Sequence, residues 1–163
     1  MDDYVHLLTP MTEFTPDILL LSPAFPTAFR AAVATLQLVQ SEILVATLDF
    51  IRIVLSHDAL SPPTSLNPQH LIPLTPPPKF PLYGAAIKDV VEKQGFELVG
   101  HLLTGLVGHF PEDTTSTVVT VLRVMSALWA PQVQAWLPSV VEQLPAATVP
   151  VESKAQFLTA FNK

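Results

Sequence analysis

SEILVATLDFIRIVLSH, residues 41–57, decides the fold. Up to Leu55 its charged residues are Glu42, Asp49 and Arg52, and every other position is apolar or a small hydroxyl. At 3.6 residues per turn those three charges fall on one narrow stripe of a helix. A helix with so little polar surface is covered by other helices on its remaining sides. Ser41 at its start reads as a hydroxyl N-cap.

The same pattern recurs outward from this stretch. Residues 113–130 read as a second helix of this kind, with Thr117, Thr120 and Arg123 on the polar stripe and Val118, Val121, Leu122, Met125, Leu128 and Trp129 filling the rest. Residues 82–110 place Ile87, Val90, Val91, Leu98, Leu102, Leu106 and Phe110 at three-to-four spacing, opposite Lys88, Asp89, Glu92, Lys93 and Glu97. This predicts a longer amphipathic helix, with Gly95 as the point where it bends or splits. Pro131 and Pro138 bracket a short helix reaching about Leu144, and residues 151–161 supply a final one. Before Ser41, residues 3–14 read as helix interrupted at Pro10, residues 16–21 as a short helical turn and residues 26–40 as a full helix. No alternating apolar–polar run bounded by an Asn-Gly or Asp-Gly turn occurs, so the predicted fold is all-α.

Prolines 62, 63, 68, 73, 76, 77, 78 and 81 fall between two helical regions, with Lys79 the only charge from residue 59 to 81. That composition predicts an extended insertion. The organisation expected is therefore helix pairs in residues 1–57, a Pro-rich loop in 58–81 and further helix pairs in 82–163. Laid out as pairs, residues 3–21, 26–57, 82–130 and 131–161 make about four units near the roughly 40-residue period of HEAT and armadillo repeats. A HEAT/armadillo-type α-α superhelix is the architecture this predicts.

Charged residues make up 13% of the chain and apolar residues 49%, against roughly 25% charged in an ordinary soluble domain. Part of the surface is thus expected to be covered by a partner or by more chain. Lys and Arg number 8 against 14 Asp and Glu, for a net charge of −6 with no basic block, so direct nucleic-acid binding is not expected and a basic protein partner is. The chain has no cysteine, which excludes disulfides, thiolate metal sites and cysteine nucleophiles. The opening Met1-Asp2-Asp3-Tyr4 has neither a secretory nor a transit character, and no stretch reads as a membrane span.

No catalytic, cofactor or metal site is expected. Ser56-His57-Asp58 holds the residue types of a hydrolase triad, yet three consecutive residues cannot aim at one another as such a relay requires. His57 reads instead as a helix C-terminus, where a histidine suits the dipole. His101 and His109 could share a helix face but have no third ligand nearby, and the glycines at 95, 100, 105 and 108 lack the Gly-Lys-Ser/Thr of a phosphate loop. Small residues that let helices approach closely are the simpler reading. Glu112 and Asp113 sit where a helix begins and complement its dipole. Trp129 and Trp136 flank a helix break and are expected to anchor one helix on the next. Within the Pro-rich loop, Pro73-Leu74-Thr75-Pro76 is a minimal polyproline motif, and Ser61-Pro62 and Thr75-Pro76 are candidate sites of proline-directed phosphorylation. The stripes remain as candidate partner-binding residues: Glu42, Asp49 and Arg52 on one helix, Thr120 and Arg123 on the other.

LDFIRIVLSH at 48–57, FPLYGAAIKDVVEKQGFELVGHLLTGLVG at 80–108, EDTTSTVVTVLRVMSALW at 112–129 and QVQAWLPSVVEQLP at 132–145 carry a family likeness. This text resembles the C-terminal region of the karyopherin-β (importin-β) nuclear transport receptors, closest to the transportin-SR, or mRNA-transport regulator, branch. The resemblance implies a HEAT-repeat superhelix that carries protein cargo, typically Ser/Arg-rich or RNA-binding proteins, into the nucleus and releases it to Ran-GTP. It further implies shuttling between nucleus and cytoplasm, no enzymatic activity and no cofactor. It places Ran GTPase binding in the N-terminal repeats of the full-length family, and makes this chain a fragment of a longer receptor. A helical-repeat scaffold or adaptor outside transport is the alternative.

Overall fold

The computed structural model describes residues 2–60 and 78–161. The polyproline motif and the two phosphorylation dipeptides lie outside those residues. Among the described residues the fold is all-α, with helices α1 (Asp2–Phe14), α2 (Pro16–Leu20), α3 (Phe25–Thr35), α4 (Ser41–Leu55), α5 (Phe80–Val107), α6 (Thr115–Leu128), α7 (Ala130–Gln143) and α8 (Val151–Phe161). Single 3₁₀ turns at Asp58–Leu60 and Glu112–Thr114 precede α5 and α6.

Several expected boundaries move, each for a local reason. Pro10 lies on the exposed side of α1, and the helix runs through it. Helix α3 stops at Thr35 rather than near Gln40, and residues 38–40 form an extended link into α4. Ser41 does not cap α4: it is the first helical residue, after Gln40 in extended conformation, and the first turn is closed by the Leu44 amide donating to the Gln40 carbonyl at 3.0 Å. Gly95 does not split α5, which is continuous over 28 residues. Helix α6 begins at Thr115 because residues 112–114 are wound more tightly, with the Thr114 hydroxyl donating to the Pro111 carbonyl at 2.7 Å. The residues expected to open and close the Pro-rich loop are also ordered: Leu60 is buried, and Phe80 and Pro81 start α5.

The helices run in two files. Helices α1, α4 and α6 lie side by side in one, and α3, α5 and α7 in the other, with α2 packed on α1 and α5. Successive helices also touch across the files, α3 on α4, α5 on α6 and α7 on α8. Within residues 3–21, α1 packs on α2 as the expected pair, and α2 also touches α5. Helix α4, with neighbours α1, α3 and α6, buries nine of its 15 residues, whereas α8, at one end, buries none. One apolar cluster runs from Leu8 to Leu144 and takes in residues on both sides of the Pro-rich segment.

The α3–α4 contact contains a buried hydroxyl pair. Thr35 donates to the Ala32 carbonyl at 2.7 Å, so its oxygen is left to accept from Thr47 at 3.1 Å. Both residues are buried. Thr35→Val therefore strands the Thr47 hydroxyl and should cost about 1–3 kcal/mol, while Thr47→Val leaves Thr35 donating as before and should cost less. Urea denaturation of the two variants checks the asymmetry; equal losses would count against this donor order.

Candidate partner-binding face

The residues singled out on α4 and α6 do not form one patch. Glu42 and Asp49 line a depression of about 550 Å3 between α1 and α4, with His6, Pro10 and Val45 on its walls. Asp49 accepts from Arg52 at 3.3 Å, with both side chains around two-fifths exposed. A surface pair of that kind contributes about 0–1 kcal/mol and holds Asp49 only weakly. Arg52 also borders a second depression with Glu13, Ser56 and Asp58. The carboxylates of Glu42 and Asp49 thus open towards α1, as a seven-residue spacing on one helix face allows.

On α6 the polar stripe does other things. The Thr120 hydroxyl donates to the Ser116 carbonyl one turn back, at 2.8 Å, so it is occupied by its own helix. Arg123 is exposed at the edge of an apolar groove of about 250 Å3, beside Leu122, Leu137, Phe157 and Phe161. The α4 and α6 stripes open into different depressions even though the two helices touch. Glu42 and Asp49 thus share the depression between α1 and α4, and Arg123 lies apart from them at the other groove.

His57 is not the dipole-complementing cation that its sequence position suggested. It lies beyond Ser56 at the end of α4, with its ring edge-on to Phe80 and Tyr83 at centroid distances of 5.7 Å. Its Nδ1 accepts the Ala59 amide at 3.1 Å. Burial lowers its pKa from the usual 6.5, and the nearby Asp58 carboxylate only partly opposes that. His101, also lowered by burial against a smaller opposing effect of Glu97, meets Gln37 Nε2 at 2.9 Å. Because an amide nitrogen only donates, His101 Nε2 accepts. His109 Nε2 lies 3.2 Å from the Leu36 carbonyl and must donate to it.

His101 of α5 and His109 in the turn after it thus tie down the residues that follow α3. Among the described residues no group of three or more His, Asp or Glu could hold a metal ion. Their eight-residue spacing brought these histidines to notice, but their partners lie 64 and 73 residues away and leave no local signal.

A pH dependence follows. His57 and His101 have folded pKa values below the unfolded 6.5, so the folded state resists taking up the proton. Their contribution is complete above pH 6.5 and is lost as pH falls through that value towards the folded pKa. Urea midpoints should fall between about pH 7.5 and pH 5.5, and the fall should be shallower in a His57→Gln, His101→Gln double variant. An unchanged slope would show that neither histidine carries the effect.

No protein-family model matches the chain. An uncharacterized protein of the fission yeast Schizosaccharomyces pombe is 29% identical over 167 residues, an alignment that takes in all of this chain and 16% of that protein. The chain thus spans about one sixth of the length of the curated relative it matches. Among the described residues, no helix is long and apolar enough to cross a membrane.

Proposed function

We propose that the chain is a C-terminal segment of a nuclear import receptor of karyopherin-β type, a stack of HEAT-like helix pairs that binds protein cargo. The two-file packing carries this reading: α4 lies on α6 and α3 on α5, then α5 on α7, so each pair meets the next through like-placed helices. That is how helical repeats bury a continuous core in which each unit contacts its neighbours. The fission yeast relative, far longer than this chain, fits a segment of an extended array. A net charge of −6 and the depression holding Glu42 and Asp49 fit a basic cargo such as a Ser/Arg-rich segment.

The reading places cargo at the α1–α4 depression and assigns Ran-GTP to repeats other than these. Calorimetric titration of the recombinant chain with a Ser/Arg-rich peptide, phosphorylated or not, tests it. Binding of either form is expected, weakened about fivefold by Glu42→Gln with Asp49→Asn, since exposed charge pairs contribute about 0.2–1 kcal/mol each. No binding of either peptide would sink the cargo reading.

A further inference from the structure

His57 touches both chain segments that border the Pro-rich stretch. Its Nδ1 accepts the Ala59 amide at 3.1 Å on one side, and its ring stands edge-on to Phe80 and Tyr83 of α5 on the other. The two segments also meet directly. The 3₁₀ turn at Asp58–Leu60 packs on α5, and a Cβ at Gly84 would lie 3.1 Å from the Ala59 carbonyl oxygen. One imidazole therefore helps to fasten the end of α4 to the start of α5, although residues 61–77 separate the two in sequence.

The hydrogen bond sets the protonation state. A backbone amide can only donate, so Nδ1 presents its lone pair and the neutral ring carries its proton on Nε2. Protonation at Nδ1 turns the acceptor into a donor, and two N–H groups then face each other across 3.1 Å. The bond is lost. His57 and Asp58 lie past the last helical residue of α4, so that bond belongs to the connecting turn rather than to a helix.

Charged groups reach this corner from every element around it. Arg52 of α4, Glu13 of α1 and Asp58 of the 3₁₀ turn line one depression of about 450 Å3 with His57, Pro16 of α2 and Phe80 of α5. Next in sequence to Pro16 and Phe80 are Asp17 and Lys79, which are paired with each other. On the α5 side the titratable group against the ring is the Tyr83 phenol. In residues 61–77 the only titratable side chain is that of His70. Asp58 favours the imidazolium, but burial of the ring outweighs it and holds the pKa of His57 below 6.5. The closed junction thus resists the proton, so closure is complete above pH 6.5 and weakens as pH falls below that value.

We propose that His57 is a proton-operated clasp between α4 and α5: its neutral form holds Ala59 against the first turn of α5, and protonation at Nδ1 opens this junction while the helices on either side stay folded. What acid releases is the pair of chain ends that flank the Pro-rich stretch. The clasp does not rest on the cargo reading.

Nitrogen-15 NMR of the full chain from about pH 8 to about pH 5, following the His57 ring nitrogens and the backbone amides together, tests the proposal. The Ala59 amide resonance should move with the same midpoint as the His57 ring, and that midpoint should lie below 6.5. Amides of Ile51 and Leu98, in the middle of α4 and α5, should not shift with it. Exchange protection of the Ala59 and Tyr83 amides, corrected for the pH dependence of free amides, should fall about tenfold further than that of Ile51 and Leu98. His57→Asn places an amide oxygen where Nδ1 stood and has nothing to titrate, so it should keep the Ala59 bond and abolish both changes. His70→Gln and His101→Gln should leave both in place. An Ala59 resonance that stays fixed while His57 titrates, the same changes in His57→Asn, or shifts spread equally to Ile51 and Leu98 would each overturn the proposal. The first and third outcomes are read on the unaltered chain, so they hold even for a His57→Asn variant that does not fold.

Discussion

Phe50→Ala should lower the stability of the chain by about 3–5 kcal/mol, the range for truncating a fully buried phenylalanine. Domains of this size are stable by only about 5–15 kcal/mol, so the variant should sit near the edge of folding. Phe50 is completely buried in α4, the helix with packing partners α1, α3 and α6. Removing the ring leaves an apolar void that water cannot usefully fill and that three neighbouring helices must collapse together to close. Phe50→Leu keeps most of the volume and should cost less than about 1.5 kcal/mol. Urea unfolding measures both, and the slope against denaturant should stay constant if the native state remains compact. A loss below about 1 kcal/mol for the alanine variant would mean that α4 is not enclosed as described.

What made α4 legible was its excess of apolar residues over one narrow polar stripe, a local pattern that states how many sides are covered without saying by what. Helix α6 was readable for the same reason, and α5 from apolar residues at three-to-four spacing opposite a charged face. Their ends were not, because capping depends on backbone geometry: Ser41 has the right side chain for a cap but lies one residue inside the helix. Pro10 was read as a break because proline is disfavoured within helices, yet the packing of Val5, Leu8 and Thr12 holds α1 together on both sides of it. For the candidate site, the sequence placed Glu42, Asp49 and Arg123 on polar stripes but could not tell that they open into different depressions. That depends on which helix lies alongside, and the neighbour of α4 at Asp49 comes from the opposite end of the segment before it.

Gly95→Ala should destabilise the chain although alanine favours a helix interior over glycine by about 1 kcal/mol. In the middle of α5 a Cβ at position 95 would lie 2.5 Å from both Cη2 and Cζ3 of Trp136, far inside van der Waals contact. The indole of α7 crosses α5 where glycine leaves room, which is the close approach that small residues in this helix suggested. To admit the methyl group the ring must turn outwards or the two helices must separate, and such overpacking costs about 1–3 kcal/mol. Trp136 is half-buried, so the ring has some freedom to yield towards solvent, and its emission should shift to the red as it does. Gly100 supplies the control on the same helix: a Cβ there meets nothing within 4 Å. Gly100→Ala should therefore stabilise by about 0.5–1 kcal/mol, since only the helix preference of alanine remains. Adding Trp136→Leu to Gly95→Ala should recover part of the loss, and the double-mutant cycle should give a coupling of about 1 kcal/mol or more. If Gly95→Ala raised the urea midpoint as Gly100→Ala does, the α5–α7 crossing would not be held by Trp136 at this point, and the order of the second file would have to be redrawn.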